Sequence, residues 1–218
     1  MKSNYGFTAK IYDPIFYLPL KSIRIAVMNE LLKYKEKVIL DLCCGTGNQI
    51  KLLSKHGFRN LHCLDISDSM LEIAKRSNSS IKIYNEDAIK TSFNNASFDV
   101  VIISFAIHEK DRNTQQALVD EAYRIMKKDG FILVVDYVFD NKTTKFGRIV
   151  ISMIERIAGG EHYINFKSYI QNNGLLSLIE KDKFKLIKYN RMSFGAVTIS
   201  IYQKINLPGD GSLAGFFG

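Results

Sequence analysis

An α/β fold with a mostly parallel sheet is what this 218-residue sequence predicts, and three observations carry the expectation. Val38, Ile39, Leu40 and Leu42 form an apolar run that leads straight into the glycine-rich turn Cys43-Cys-Gly-Thr-Gly47 and then a helix. A second short run, Leu61 to Leu64, ends on Asp65, about 20 residues past that turn. Further strand-like runs then alternate with segments of helical spacing along most of the chain. Apolar runs without strict alternation mark strands covered on both faces, which is the situation inside a parallel sheet.

Taken in order, residues 14–35 place Ile23, Ala26, Val27 and Leu31 at helical spacing and predict an N-terminal helix over a ligand cleft. Asn48 to His56 read as the helix after the first strand. Ser67 or Ser69 caps the next helix, with Ser69-x-x-Glu72 fitting a capping box. Ile81 to Tyr84 is a third strand, residues 112–127 a helix, and Phe131 to Val138 a fifth strand. Lys145 to Ala158 forms a helix carrying Phe146, Ile149, Val150, Met153, Ile154 and Ile157, too apolar for a freely exposed face. Phe166 to Asn172 gives a shorter helix ended by Gly174. Phe184 to Tyr189 and Val197 to Tyr202 alternate like an antiparallel pair, and residues 205–218 read as a loose tail, partly added by cloning. No internal repeat is present.

The glycine turn points to a ligand. Gly45 and Gly47 can take backbone angles closed to other residues and let a ligand approach the main chain. Exposed amides at the following helix start suit a polar or anionic group. Asp65, at the tip of the second strand, is placed to accept both hydroxyls of a ribose. A dinucleotide fold would want a third glycine where Ile50 stands. Asp41 would repel a phosphate and attract a cationic amine, so a ligand with a nucleoside end and an amino-acid end fits both acids.

On these residues the chain resembles the class I S-adenosylmethionine-dependent methyltransferases. Asp41-Leu-Cys-Cys-Gly45-Thr-Gly47 is similar to the first motif of that family, with Cys43 standing at its first glycine. Leu64-Asp65-Ile66-Ser67-x-x-Met70-Leu71 is similar to the second. Glu86-Asp87-Ala88, the strand around Phe98 to Ser104, and Arg124 to Val134 resemble the segments that follow, in the same order. The resemblance implies a single Rossmann-like, doubly wound domain over residues 1–204. Its sheet has seven strands, mostly parallel with an antiparallel last strand, and helices on both faces. It also implies a helical lid over residues 1–36 and a helical substrate cap over residues 140–180.

For the site, the resemblance implies S-adenosylmethionine as cofactor. Asp65 would hold the ribose and Ile66 would flank adenine, with Met70 also among the cofactor-binding residues. Asp87 and Ala88 would read the adenine edge. Asp41, Cys43, Gly45, Gly47 and Ser104 would line the rest, and Tyr12 would close the cleft over the amino-acid end. Tyr12-Asp13, Ala106-Ile-His-Glu109 and Gly160-Glu-His-Tyr163 resemble the small-molecule branch that includes the ubiquinone and menaquinone methyltransferases.

Composition agrees with a cytoplasmic enzyme: 46% hydrophobic and 24% charged residues are ordinary for one globular domain. The first residues lack the apolar stretch of a secretion signal, and no run approaches the roughly 18 apolar residues of a membrane helix. Three cysteines make no disulfide framework, and no second ligand pair at suitable spacing supports a metal site. The net charge of +8 is spread along the chain without a basic block interleaved with aromatics, so a solvated surface is favoured over a nucleic-acid partner.

Methyl transfer needs alignment of a nucleophile and exclusion of water, and a base only where the acceptor must lose a proton. His108, just past the fourth strand, is the candidate base; the competing reading is a lid histidine with a structural hydrogen bond. His162 and Tyr163 either orient the acceptor or pack the cap, and Phe105 could stack on it. After strand four, Ser104-Phe105-Ala106-Ile107 lacks the Pro-Pro-Tyr-type tetrapeptide of enzymes that methylate exocyclic amines of nucleic-acid bases. A small apolar acceptor, methylated at oxygen or carbon, is therefore expected. The alternatives are an RNA or protein methyltransferase that uses the basic surface, or a non-catalytic cofactor-binding module. A peripheral membrane contact through residues 145–158 is compatible with the pattern.

Overall fold

The computed structural model describes residues 20–76 and 80–205. Helix α1 covers residues 20–31 of this range. It is followed by β1 (Val38–Leu42), α2 (Asn48–Lys55), β2 (Asn60–Asp65), α3 (Asp68–Lys75), β3 (Lys82–Asn85) and β4 (Phe98–Ser104). The second half holds α4 (Arg112–Ile125), β5 (Met126–Tyr137), α5 (Lys145–Ala158), α6 (Gly160–Gln171), β6 (Phe184–Met192) and β7 (Val197–Lys204).

The strands form one seven-stranded sheet in the order β3-β2-β1-β4-β5-β7-β6. Pairing is parallel from β3 to β5, whereas β7 runs antiparallel to both β5 and β6. Order reverses between β1 and β4, and such a switch point leaves a crevice at the carboxyl ends of the strands. The central strands explain their own apolar runs, because alternate residues feed two cores. Ile39, Val100, Ile102 and Leu133 pack with α1, α2 and α3 on one face. Leu40, Val101, Ile103 and Val134 pack with α4 on the other.

Several local expectations need correction. Ser67, not Ser69, caps α3, accepting from the Met70 amide at 3.4 Å, so the Ser69–Glu72 capping box does not form. Strand β5 starts at Met126, because the chain leaving α4 pairs Met126 with Phe98 and then bulges before Phe131 meets Val100. Helix α6 begins at Gly160, directly after Gly159 at φ 132° interrupts the helical run. The expected cysteine chemistry also changes: Cys44 and Cys63 form a disulfide, with Cα atoms 5.7 Å apart. Its cause is the turn at Cys43, whose φ of 64° swings Cys44 over the end of β2, where its amide donates to the Leu64 carbonyl at 2.9 Å.

Helix α5 departs furthest from expectation. Its bounds match, but only Gly147, Ile151 and Glu155 are buried, and Phe146, Ile149, Met153 and Ile157 face outward. Tyr12 and residues 206–218 lie outside the described residues.

Candidate active site

The ends of β1, β2 and β4 build the site. Asp41 pairs in register with Cys63 on one side and Ile102 on the other, so its buried carboxyl stands at the centre of the switch-point crevice. Burial, and then the nearby Asp65 carboxylate, push Asp41 up to about 7, against the pull of Arg24. β1 and β4 each run into a non-glycine residue in the left-handed region, Cys43 at φ 64° and Phe105 at φ 55°. Such residues cost about 1 kcal/mol or more and cluster where a site over-determines the backbone. Cys43 therefore occupies a position where glycine would be unstrained, and burial pushes its thiol up to about 12, leaving it neutral.

The two turn glycines have different reasons. A Cβ at Gly47 would lie 3.1 Å from the Cβ of Ala74, so Gly47 lets α3 pack against the turn. At Gly45 a Cβ would meet nothing within 4 Å, so the main chain there fronts open space. The Gly45 amide donates to Asp65 Oδ2 at 2.7 Å, and the Ser67 amide donates to Oδ1 at 2.9 Å. Asn85, at the end of β3, donates from Nδ2 to the carbonyls of Asp65 and Ile66, both at 3.1 Å. The carboxylate is thus fixed from two sides and keeps lone pairs for hydroxyl donors.

Around it, Ile66 is exposed at the β2 tip, Met70 is half-buried, and Ala88 is buried after β3. Asp87 is exposed and accepts from the Ile89 amide at 3.1 Å. Ser104 places a buried hydroxyl at the end of β4 that has no hydrogen-bond partner among the described residues. Buried hydroxyls are rarely left so without a further ligand. An open glycine edge, an anchored ribose-type acceptor, a buried acid for a cationic end and an orphaned hydroxyl together fit S-adenosylmethionine. Ile50 is buried in the core beneath the turn, where a dinucleotide fold would put its third glycine.

His108 is drawn into a separate cluster. Its Nδ1 lies 2.6 Å from Asp136 Oδ1 and its Nε2 3.4 Å from Glu155 Oε2, and all three side chains are buried. Burial pulls the imidazole down, but the attraction and hydrogen bond of Asp136, joined by Glu155, outweigh it and hold His108 up to about 10. An imidazolium with both nitrogens engaged has no lone pair for a proton. Of the two readings of His108, the geometry favours the structural one over the general base. Tyr137, Phe166 and Tyr169 ring it at centroid distances of 4.6, 6.2 and 6.4 Å.

Asp136 and Glu155 were missed in the sequence, although each left a signal. Asp136 ends an apolar strand as Asp65 does, and Glu155 is the only acid in α5. Phe105 tilts against Tyr137 at 5.4 Å, on the same side as this cluster. His162 faces Glu109 at 3.7 Å on the post-β4 loop, and Tyr163 packs near Phe166 at 6.3 Å. The structure therefore joins Asp41, Cys43, Gly45, Gly47, Asp65 and Ser104 at one edge, and sets His108 and the α5–α6 residues beside it.

Comparison with known proteins agrees. A family profile described as a methyltransferase domain matches residues 39–130. The chain is 29% identical over 187 residues to a demethylmenaquinone methyltransferase of Leptospira interrogans, covering 76% of this chain and 74% of the relative. It is 23% identical over 203 residues to a ubiquinone/menaquinone biosynthesis C-methyltransferase of Campylobacter jejuni, covering 82% and 83%. Among solved structures, an S-adenosylmethionine-dependent methyltransferase of Thermotoga maritima superposes with a TM-score of 0.67 at 18% identity, covering 93% and 98%. A Burkholderia thailandensis 1,6-didemethyltoxoflavin-N1-methyltransferase with bound S-adenosylhomocysteine shares the fold at a TM-score of 0.56 and 12% identity, covering 94% and 92%. Motif order, sheet topology, an S-adenosylmethionine-shaped edge and these relatives converge on a class I S-adenosylmethionine-dependent methyltransferase that resembles the quinone methyltransferases.

Proposed function

We propose that this enzyme methylates a small, apolar acceptor of the quinol or phenol class at carbon or oxygen. The observation that carries the reading is the half-buried ring of Phe105, which follows Ser104 at the cofactor edge and is backed by the buried aromatic rings of Tyr137 and, behind it, Phe166. Planar apolar rings stack on such a wall, whereas a peptide or nucleic-acid backbone gains little there. Two relatives named for quinone substrates support the same class.

S-adenosylmethionine supplies a methyl group activated by its sulfonium. Asp65 holds the ribose, Asp41 pairs with the cationic amino-acid end, and Gly45 and Gly47 admit the ligand to the main chain. Ile66 flanks the adenine with Met70 beside it, and Asp87 and Ala88 read its edge. Ser104 lines the cofactor edge, and Phe105 orients the acceptor against the methyl group. His108 acts as a positioning residue that ties the post-β4 loop to Asp136 and, through Glu155, to α5. His162 and Tyr163 belong to the cap of residues 140–180, and α1 forms part of a lid over the cofactor edge. A cytoplasmic location is part of this reading.

The test is methyl transfer from radiolabelled S-adenosylmethionine to a panel of short-chain quinols and phenols, with RNA and histone-type peptides as competitors. Label in the organic extract is the expected result. Label in RNA or peptide, or none anywhere while cofactor binds, would overturn the proposal. A further expectation follows from Asp41. Because only its ionised form pairs with a cationic amine, S-adenosylhomocysteine affinity should fall below pH 7 by about tenfold per unit. Titration calorimetry between pH 5.5 and 8.5 measures this, and Asp41→Asn should flatten the profile.

A further inference from the structure

The outward face of α5 is largely uncovered among the described residues, with Phe146 at its start meeting the exposed Phe194 ring at 5.0 Å. Phe146, Ile149, Met153 and Ile157 follow each other at spacings of three, four and four, which places them within about 100° of arc on the helix. They are 59%, 59%, 59% and 81% exposed, and Ile164 on α6 extends the patch at 67%. Singly exposed apolar residues are normal on a monomer, but a contiguous row marks a contact surface.

The charges beside the row select the contact. Lys145 and Arg156 lie along one edge of it, Lys167 lies on α6, and Lys142 precedes the helix. Lys145, Arg156 and Lys167 pair with no carboxylate in the ion pairs of the described residues, while Lys142 lies near the Asp140 carboxylate. Arg156 and Lys167 both lean over the Tyr163 ring, at 5.8 and 5.7 Å. The one acid of α5, Glu155, is turned inward to His108, which leaves Glu161 as the exposed acid at the start of α6. An apolar row edged by unpaired cations, on a chain of net charge +8, complements an anionic lipid surface: the apolar side chains enter the acyl boundary and the cations meet headgroup phosphates.

We infer that α5, with the start of α6, docks the enzyme on an anionic bilayer. The same helix carries Glu155 on its inner face against the proposed acceptor wall, so docking sets that wall next to the phase in which an apolar acceptor is dissolved. The inference extends the apolar-acceptor reading but is measured without any acceptor, so the two fail separately.

The experiment is co-sedimentation of the full chain with vesicles of phosphatidylcholine alone or mixed with phosphatidylglycerol. Binding to the mixed vesicles only is expected. It should be abolished in Met153→Glu/Ile157→Glu, and weakened about fivefold for each cation removed in Lys145→Gln and Arg156→Gln. These side chains are exposed, and unchanged S-adenosylhomocysteine binding verifies that the variants fold. A full chain that stays in the supernatant with anionic vesicles overturns the inference. So does equal sedimentation of the double glutamate variant, or a wild-type dimer that becomes monomeric in that variant, which would assign the face to a second copy.

Discussion

Replacing Asp65 by alanine is expected to weaken S-adenosylhomocysteine binding by about 100-fold or more. Hydrogen bonds to a charged group are worth about 1.5–3 kcal/mol each, so losing two ribose contacts removes at least about 3 kcal/mol. The carboxylate also organises its surroundings, because both oxygens already receive main-chain amides, from Gly45 and Ser67. Alanine therefore frees the glycine loop as well as the ribose. Asp65→Asn separates the two effects, since an amide oxygen can keep one of these bonds but supplies no charge. Calorimetric titration of both variants measures the difference. An alanine variant within threefold of the wild type would place the ribose elsewhere.

The second large effect concerns stability. Asp136 is fully buried and accepts from the amides of Ile107, His108 and Tyr137 at 3.2, 3.3 and 2.8 Å, besides the imidazole at 2.6 Å. Removing one partner of a buried ion pair leaves the other uncompensated, at a cost of about 3–5 kcal/mol. Asp136→Ala should accordingly lower the melting temperature by about 6–20 °C for a chain of this size. The pH dependence has a defined sign. Folding raises His108 from 6.5 to about 10, so the folded state holds its proton more tightly. That stabilisation is fully present below pH 6.5 and is lost as pH rises through about 10. Wild-type melting temperature should thus carry a downward slope between pH 7 and 10 that Asp136→Asn lacks. Scanning calorimetry across this range checks it, and equal slopes would remove the pair from the account.

The cofactor half of the site was legible because its signals are local. A glycine turn after an apolar strand, and an acid one strand later, each depend on a few adjacent residues whose backbone geometry follows from their type. Cys43 was legible only as a departure from a glycine; its left-handed φ gives that departure a physical meaning. The acceptor half was not legible, because Asp136 and Glu155 stand 28 and 47 positions from His108, and nothing in spacing reveals which carboxylate will meet an imidazole. The disulfide failed for a related reason. Three cysteines are too few for a disulfide framework, and no spacing reveals that Cys44, past the strand where the chain has already turned, meets Cys63.

Helix α5 shows the same division. Its limits follow from Thr144 as cap, whose hydroxyl oxygen accepts from the Gly147 amide at 3.0 Å, and from the glycines after Ala158. Which side it buries does not follow, since apolar residues such as Ile151 and Met153 lie on opposite faces, with charged residues spread between them. By itself, the sequence determined the alternating strands and helices, the cofactor motifs and the resemblance to the methyltransferases, because these rest on short-range periodicity and local turn chemistry. Only the tertiary structure decided that His108 is a clamped imidazolium, that Cys44 reaches Cys63, and that α5 turns its apolar row outward. Those outcomes depend on burial and on partners brought together across the sheet, which act through space and leave no fixed spacing in the chain.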